Sequence, residues 1–298
     1  MKYFTLFLLL LFVQLTNAQP NLVPNPSFEK YKRCLTFLDD IFIDSSDNVN
    51  NWFLIEPIIE GRVWGDGRGM PGWAGAASGG AYFNRCSNKT WRDSLYEGLP
   101  QNVSGYQETK TGDGYISIHG FILQLQDYFY ENQLIAPKGL YSGAVACQLN
   151  FNCINRLKYK GGFFTSACGF SNFWVNSNLV ERDTFPYRAY TTSSLGMYLC
   201  NQIPQLKNDR RIEAKAQINN NINVNLGDTV NWMEVSGTFE ANGTEQYLIL
   251  GSFNDSSDIK YFNSFGYKEP WLNKFGVDAS YYIDDVSLIP SKYHPLLR

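Results

Sequence analysis

Short runs of alternating apolar and polar residues, separated by Gly, Asn and Asp, recur along this chain, and no long amphipathic helical stretch accompanies them. Alternation with a period of two is typical of β-strands whose faces meet different surroundings. In the run 114–121, Ile116 and Ile118 share one face, while Tyr115 and His119 lie on the other. The pattern therefore predicts an all-β fold, an antiparallel sandwich.

Further strands are expected wherever similar runs recur, at 139–149, 194–200, 231–241, 245–253 and 281–289. The Asn-Gly-Thr triplet between the third and fourth of these is a hairpin signal. The stretches 154–193 and 201–229 lack such runs and are expected to be long irregular insertions, the second of them exposed. The prediction is a β-sandwich with long loop insertions.

The N-terminus has the pattern of a secretory signal peptide. Lys2 precedes an apolar run at 4–13, and Thr16 and Ala18 offer the small residues of a cleavage site. A predominantly apolar run of ten residues suits a signal sequence and is too short to span a bilayer. We expect residues 1–18 to be removed and the protein to be secreted, or held at the cell surface or in the periplasm.

The mature chain is expected to form one β-sandwich domain at 19–290, followed by a tail at 291–298. No later stretch of 18 apolar residues occurs, so no membrane span is expected. The net charge of −3 gives no basic patch for nucleic acid. An aromatic content of 16% and a charged content of 18% exclude a disordered chain.

Signs of catalysis are few. The sequence has two histidines, His119 and His294, and contains neither a GxSxG nor an HExxH motif. Its carboxylates could serve glycoside hydrolysis only at particular separations, which the sequence does not give. We expect a protein that is not an enzyme, and a glycan-active enzyme stays open as an alternative.

The cysteines number six, an even count that favours disulfides in an exported protein. They are Cys34, Cys86, Cys147, Cys153, Cys168 and Cys200. Cys147 and Cys153 could not reach each other on one continuous strand, since each residue advances about 3.3 Å. They are expected either to flank a turn or to pair elsewhere, with Cys168 and Cys200 as the natural partners.

The last predicted strand carries a carboxylate in an unexpected position. If Val286 and Leu288 face the core, alternation places Asp284 on the same face, where an unpaired carboxylate is costly. A calcium ion bound by Asp284, the adjacent Asp285 and Glu29 would resolve this, if the terminal strands are neighbours. The alternative is that Asp284 lies at the rim in water or accepts backbone N–H bonds.

A glycine-rich segment at 61–83 is a candidate ligand loop. It lacks the patterns of a phosphate-binding loop and of an EF-hand. It combines tryptophan rings with planar polar groups, as sugar-binding sites do. The candidate residues are Trp64, Trp73, Asp66, Arg62 and Arg68. The alternative is a loop whose tryptophans pack into the domain, because exposed large aromatic residues are unfavourable without a partner.

Three motifs carry a resemblance to known proteins: NLVPNPSFE at 21–29, the segment 232–253, and YYIDDVSL at 281–288. Together they resemble the galactose-binding-like jelly-roll sandwiches, a group that includes many calcium-containing carbohydrate-binding modules. They are also similar to uncharacterised exported proteins of Bacteroidetes-type bacteria, in which such a sandwich often precedes an OmpA-like or sorting domain. The resemblance implies a jelly-roll topology, a structural calcium and a Cys34–Cys86 disulfide.

The combined expectation is an exported, non-catalytic module that recognises a glycan or a surface polymer and carries a structural calcium site. Its ligand would bind at the loop near Trp64 and Trp73, or on a concave face of the sandwich. The alternative is an adhesive or structural component of an envelope or secreted assembly that acts through protein partners.

Overall fold

The computed structural model describes residues 19–31, 49–55, 80–87, 90–91, 94–95, 98–102, 104–124, 128–130, 133–136, 139–168, 190–204, 212–253, 261–263 and 277–292. Within these ranges all secondary structure is strand, and the strands pair antiparallel. This confirms the all-β prediction. No helix with the length and apolarity of a membrane span occurs among the described residues. The predicted signal peptide lies outside them.

Two sheets form the body of the fold. The six-stranded sheet contains β2 (Gly80–Asn84), β7 (Gly114–Gln124), β10 (Gly139–Tyr141), β12 (Lys158–Ala167), β16 (Met233–Glu240) and β19 (Val277–Pro290). Its order is β10-β7-β19-β12-β16, with β2 also paired to β7. The five-stranded sheet contains β1 (Trp52–Leu54), β11 (Ala144–Gln148), β14 (Leu195–Cys200), β15 (Ile218–Asn219) and β17 (Tyr247–Ser252), in the order β1-β11-β17-β14-β15.

Four short strand pairs lie outside the two sheets. They are β3 (Thr90–Trp91) with β4 (Ser94–Leu95), β5 (Gln101–Asn102) with β6 (Gly105–Tyr106), β8 (Tyr128–Tyr130) with β9 (Gln133–Ala136), and β13 (Tyr190–Thr192) with β18 (Tyr261–Asn263).

The main core lies between the two sheets. The six-stranded sheet contributes Ile116, Phe163 and Tyr281, and the five-stranded sheet contributes Val145 and Leu250, all of them buried. The alternation predicted for 115–118 is confirmed, because Ile116 and Ile118 join this core while Tyr115 and Ser117 lie on the opposite face. Two sheets that each bury one face against the other are the sandwich arrangement expected from the sequence.

The triplet at 242–244 does not close a hairpin, and that prediction is wrong. The strand before it, β16, pairs with β12 in the six-stranded sheet, while the strand after it, β17, pairs with β11 and β14 in the five-stranded sheet. The turn therefore carries the chain from one sheet to the other. The Glu245 carboxylate closes it by accepting the N–H groups of Asn242 and Gly243 at 2.9 and 3.0 Å.

Two further strand predictions need correction. The run 139–149 is not one strand, since it divides into β10 and β11, which belong to different sheets. The stretch 154–193 is not wholly irregular, because β12 is a ten-residue central strand within it. Its inward side chains include Tyr159, Phe163 and Ala167, but Gly161 and Gly162 between them weaken the apolar pattern.

The cysteines divide into two classes. Cys86 is disulfide-bonded, and Cys34, its predicted partner, lies outside the described residues, so their pairing stays a prediction. The other four cysteines, Cys147, Cys153, Cys168 and Cys200, are buried thiols outside any disulfide, which contradicts the bridges predicted among them. Geometry accounts for one excluded pair: Cys147 faces the core between the sheets, whereas Cys200 lies on the outer face of the five-stranded sheet.

Candidate functional sites at the chain termini and on the five-stranded sheet

The N-terminal segment runs beside the last strand, β19. The Leu22 N–H donates to the Leu288 carbonyl at 2.9 Å, and the Val286 N–H donates to the Pro26 carbonyl at 2.9 Å. Between them, the Asn21 side chain accepts from the Leu288 N–H and donates to the Val286 carbonyl. The two terminal motifs are therefore neighbours, as the calcium hypothesis required.

A β-bulge in β19 changes the orientation predicted for Asp284. Ile283 and Val286 both lie in the core, although strict alternation would place them on opposite faces. Asp285 has a φ of 50°, and three residue steps on β19 here span two on β12. Such a bulge re-aims the side chains beside it. Asp284 consequently lies on the outer face of the six-stranded sheet, and the predicted position on the core face is wrong.

Asp284 is nonetheless fully buried, because the turn at 109–114 covers it. Its Oδ2 accepts the backbone N–H groups of Lys110 and Thr111 at 3.0 and 3.3 Å. Its Oδ1 accepts the N–H of Asp285 at 2.7 Å. Backbone N–H donors, the alternative considered from the sequence, therefore satisfy this carboxylate.

The same turn holds the other two candidate ligands. Asp285 Oδ1 accepts the hydroxyls of Ser27 at 2.6 Å and Thr111 at 2.5 Å. Glu29 Oε1 accepts the N–H groups of Asp113 and Gly114 at 2.9 and 3.0 Å. We call this cluster, formed by Glu29, Asp284, Asp285 and the turn 109–114, the carboxylate junction.

Gly112 is required at the carboxylate junction. Its φ is +61°, and a Cβ built on it would lie 2.3 Å from the Glu29 Cδ. A larger residue could neither adopt this backbone conformation without strain nor leave room for the Glu29 carboxylate. Sequence reasoning did not single out this turn, although its Thr-Gly-Asp-Gly run at 111–114 is a turn signal directly before a strand.

The electrostatics of the junction are unfavourable to a charged Asp284. Burial, followed by the neighbouring Asp285 charge, raises the pKa of the Asp284 carboxyl to about 8. The Lys110 ammonium does not compensate, since it lies 4.6 Å from the centre of the Phe164 ring, over its face. Among the described residues, no lysine or arginine forms an ion pair with Asp284.

Calcium binds six to eight oxygen atoms, and carboxylate oxygens are among its preferred ligands. Glu29, Asp284 and Asp285 supply carboxylate oxygens around one turn. Within the described part of the chain, however, no three carboxylate, histidine or cysteine side chains converge as a metal-binding group. Backbone carbonyls or water molecules would have to complete the coordination.

A second candidate site lies on the outer face of the five-stranded sheet. One row of paired residues crosses four strands, in the order Phe53, Ala146, Ile249 and Tyr198. Ala146 and Ile249 form a buried floor, whereas the rings of Phe53 and Tyr198 at its two ends are only half-buried. Sequence reasoning did not single out these aromatic residues.

The neighbouring row adds a further ring and a polar group. Tyr247 on β17 is half-buried and pairs with Gln148, which is exposed. The Tyr198 ring packs against Phe253 with ring centroids 5.7 Å apart. We call the surface formed by Phe53, Gln148, Tyr198 and Tyr247, with the buried Phe253 behind Tyr198, the aromatic face. Part of its apolar floor is covered by Ile212 and Ala216.

Of the predicted ligand loop at 61–83, the structure describes residues 80–83, which belong to strand β2. The described chain before the loop ends at Ile55, beside the aromatic face. The Ile55 N–H donates to the Ala144 carbonyl at 3.1 Å, and Ile55 packs into the apolar cluster on this face. The candidate residues Arg62, Trp64, Asp66, Arg68 and Trp73 follow in the chain and lie outside the described residues.

His119 has a defined partner on the outer face of the six-stranded sheet. Its Nδ1 lies 2.7 Å from Ser280 Oγ, across the pairing of β7 with β19. This contact gives the half-buried His119 a polar partner within the sheet. His294 lies outside the described residues.

Comparison with known proteins finds distant structural similarity alone. No protein-family model matches the chain, and no curated protein matches it. Among solved structures, the CBM22-1–GH10 modules of a Clostridium thermocellum xylanase are 11% identical, with a TM-score of 0.27 over 61% of this chain. The match spans 23% of the xylanase chain.

Two other structures match over more of their own length. The N-terminal cellulose-binding domain of Cellulomonas fimi β-1,4-glucanase C is 10% identical over 73% of this chain and 91% of that domain, with a TM-score of 0.27. The K1 cleaved adhesin domain of Lys-gingipain from Porphyromonas gingivalis is 10% identical over 90% and 96%, with a TM-score of 0.31. Similarity this distant assigns no function to the chain.

Proposed function

We propose that this protein is an exported, non-catalytic module that binds a glycan or a surface polymer on its aromatic face. The observation that carries the proposal is the row across the five-stranded sheet, in which half-buried Phe53 and Tyr198 flank a floor of buried small and aliphatic side chains. Rings fixed on strands offer flat contact area at little cost in conformational entropy.

The aromatic face also has polar groups at its border. Gln148 is exposed beside Tyr247, and Asn219 is exposed at the opposite edge of the sheet, where its Nδ2 already donates to the Ala216 carbonyl at 3.0 Å. Amide side chains donate and accept hydrogen bonds, as a polyhydroxylated ligand requires. The Gln217 amide is already committed, since it pairs with both backbone groups of Leu199.

The test is retention of the mature protein in gels that contain a neutral polysaccharide, with xylan, hydroxyethylcellulose and galactan as probes. Tyr198→Ala should weaken the retention about tenfold, as loss of a central aromatic contact does. Tyr198→Phe should keep most of it, and Phe151→Ala is the control, because Phe151 is an exposed ring outside the aromatic face. The proposal fails if all three variants bind alike, or if the unmodified protein is retained by no polymer.

We further propose that a structural calcium ion binds at the carboxylate junction, held by Glu29, Asp284 and Asp285. The support is chemical: three carboxylates lie around one turn and supply the oxygen ligands that calcium prefers, although their side chains do not converge as a metal-binding group in the described structure. Calcium should raise the unfolding midpoint relative to EDTA, because a ligand that binds only the folded state stabilises it. Glu29→Gln should reduce this rise, whereas Glu234→Gln, at an exposed carboxylate on β16, should not.

A further inference from the structure

We propose a second glycan subsite, centred on Glu108, on the outer face of the six-stranded sheet. It is separate from the aromatic face and shares with the proposed function only the class of ligand. Three side chains meet at Glu108: Tyr106 donates its hydroxyl to Oε1 at 3.3 Å, and Arg85 Nη2 donates to Oε2 at 2.6 Å. Trp232 Nε1 donates to the Glu108 carbonyl at 2.9 Å. We call these residues the Glu108 cluster.

The Glu108 cluster is open to solvent. Tyr106 is 58% exposed, and Val230, whose carbonyl accepts from the neighbouring Gln107 amide, is 75% exposed. The side chains of Glu108 and Arg85 are 54% and 41% exposed. Large hydrophobic side chains grouped at the surface mark interaction sites more often than isolated ones do.

The loop beneath the cluster is held by a buried hydrogen-bond network. Gln107 accepts the Ser166 hydroxyl on its Oε1 at 2.8 Å and the Tyr115 hydroxyl on its carbonyl at 3.1 Å. Asn102 joins two rings of the same face, since it donates to the Tyr115 oxygen and accepts from Tyr282. A loop anchored in this way presents Tyr106 at a small entropic cost on binding.

The second side of the cluster is equally anchored. The Trp232 ring meets Tyr115 edge-on, with ring centroids 5.8 Å apart. The Asp228 carboxylate accepts the N–H groups of Val230 and Asn231 at 2.8 Å each, which fixes the turn before Trp232. Both aromatic residues of the cluster are therefore presented on rigid supports.

The chemistry of the cluster selects a neutral, polyhydroxylated ligand. Arg85 is shared by two carboxylates, Glu108 at 2.6 Å and Asp113 at 3.4 Å, so no guanidinium charge is left over to attract an anionic ligand. The planar guanidinium and carboxylate groups still offer donors and acceptors to hydroxyls, while Tyr106 and Trp232 offer apolar ring surface for a sugar. A stable protein partner would need about 800 Å² on this side, and Tyr106 and Val230 are the exposed large hydrophobic residues near Glu108 among those described.

The two sites would face opposite directions, because the Glu108 cluster and the aromatic face lie on the outer faces of opposite sheets. One short oligosaccharide cannot occupy both. One long polymer, or two separate polymers, can occupy both sites. Each protein molecule would then cross-link the polymer chains and bind them with higher avidity. The structure thus points to a protein that joins glycan chains as well as binding them.

The experiment compares Tyr106→Ala, Tyr198→Ala and the double variant by retention in the same polysaccharide gels and by turbidity with soluble xylan, hydroxyethylcellulose and galactan. Each single variant should keep partial retention but lose cross-linking turbidity, and the double variant should lose both. Tyr106→Phe keeps the ring and should behave as the unmodified protein does. Phe151→Ala is the matched control for loss of an exposed ring, and the unfolding midpoint checks that each variant is folded.

The outcomes separate the two proposals. If Tyr106→Ala leaves retention and turbidity unchanged while Tyr198→Ala abolishes them, the second subsite is wrong and the proposed function stands. If only Tyr106→Ala abolishes binding, the second subsite stands and the aromatic face is wrong. If no polymer retains the unmodified protein, both are wrong. If Tyr106→Ala changes the sedimentation coefficient of a self-associating protein, the Glu108 cluster is a protein interface and the subsite is wrong.

Discussion

Asp285 adopts a left-handed backbone conformation, with a φ of 50°, in the middle of the strand β19. The bulge that it creates moves Asp284 out of the core and under the turn 109–114. Asp and Asn tolerate this conformation better than other non-glycine residues do. The identity of Asp285 therefore serves two purposes, because it permits the bulge and also supplies an acceptor to Ser27 and Thr111.

The raised pKa of Asp284 makes stability depend on pH. Folding raises this pKa from the ordinary 3.8 to about 8, so the protonated carboxyl is favoured in the folded state. The stabilisation is fully present below about pH 4 and is lost as the pH rises towards about 8. In EDTA, we expect the contribution of Asp284 to the unfolding midpoint to decrease over this interval.

The measurement is the pH dependence of the midpoint in EDTA for the unmodified protein and for Asp284→Asn. The variant cannot ionise at this position, so its pH slope between 4 and 8 should differ by the part due to Asp284. The absolute midpoint should also fall, because an amide oxygen and an amide nitrogen cannot both accept the N–H groups of Lys110 and Asp285. Identical pH slopes in the two proteins would contradict the raised pKa.

The alternating pattern placed Asp284 and Asp285 on the last strand, but it could not predict which face of the sheet the Asp284 side chain occupies. The proximity of the two termini, and of Glu29 to the last strand, follows from the motifs at the ends of the chain. The bulge at Asp285 does not follow from these motifs. Side chains of a strand alternate between its two faces, so a shift of one residue moves every later side chain to the opposite face. The turn at 109–114 is distant from Asp284 in the sequence, so its position over this carboxylate was not predicted either.

At the level of elements, the turn at 242–244 shows why a hairpin signal can be misread. Asn-Gly permits a reversal of the chain, and a reversal can lead back into the same sheet or across to the other one. The Glu245 carboxylate, buried against the N–H groups of Asn242 and Gly243, fixes the crossing geometry. Local turn chemistry was predictable, whereas the choice of sheet depends on the packing of the whole sandwich.

Gly243→Ala should destabilise the protein through this turn. Gly243 has a φ of +87°, which costs a non-glycine residue about 1–2 kcal/mol. An added Cβ would also lie 2.8 Å from the Asn155 Cβ. We expect a loss of at least about 1 kcal/mol in the free energy of unfolding, measured by urea titration.

A second variant separates the two causes. Asn155→Gly removes the atom that the new Cβ would meet, and Asn155 is exposed. The double variant should recover the part of the loss due to overlap and retain the part due to backbone strain. A stability of Gly243→Ala equal to that of the unmodified protein would show that the turn does not need glycine.

At the scale of the whole molecule, the fold class and the strands 114–121, 194–200 and 281–289 could be recognised from alternation. The strand β12 could not, because Gly161 and Gly162 replace apolar residues at its centre. The structure shows why these glycines are there: a Cβ on Gly161 would lie 2.7 Å from Ile218 across the sandwich, and one on Gly162 would lie 2.8 Å from Ser236 on the neighbouring strand. Neighbouring atoms leave no room for a side chain at Gly161 and Gly162, so the alternating pattern that identifies a strand is interrupted there.

The aromatic face could not be predicted from the sequence pattern of any single strand. Phe53 and Tyr198 are far apart in sequence and meet in one row only because β11 and β17 lie between their strands. Each of these aromatic residues by itself is typical of a β-strand and indicates no binding site. From the sequence, the ligand was expected at the glycine-rich loop at 61–83 or on a concave face of the sandwich, and neither expectation named the residues of the aromatic face.

The state of the cysteines gives a test of the whole fold. The six cysteines were expected to form disulfides, yet four of them are buried thiols outside any disulfide. Burial raises the pKa of the Cys153 thiol to about 12 and that of the Cys200 thiol to about 11, and it raises the pKa of Cys147 as well. A thiol that stays protonated and inaccessible does not react with alkylating agents.

We therefore expect iodoacetamide to leave these four thiols unmodified in the native mature protein. After denaturation without a reductant, mass spectrometry should find alkylation at Cys147, Cys153, Cys168 and Cys200. After denaturation with a reductant, Cys34 and Cys86 should become alkylated as well, if they form the predicted pair. Protein that takes up no label on unfolding would instead carry bridges among the four buried positions, and the core between the two sheets would have to rearrange to form them.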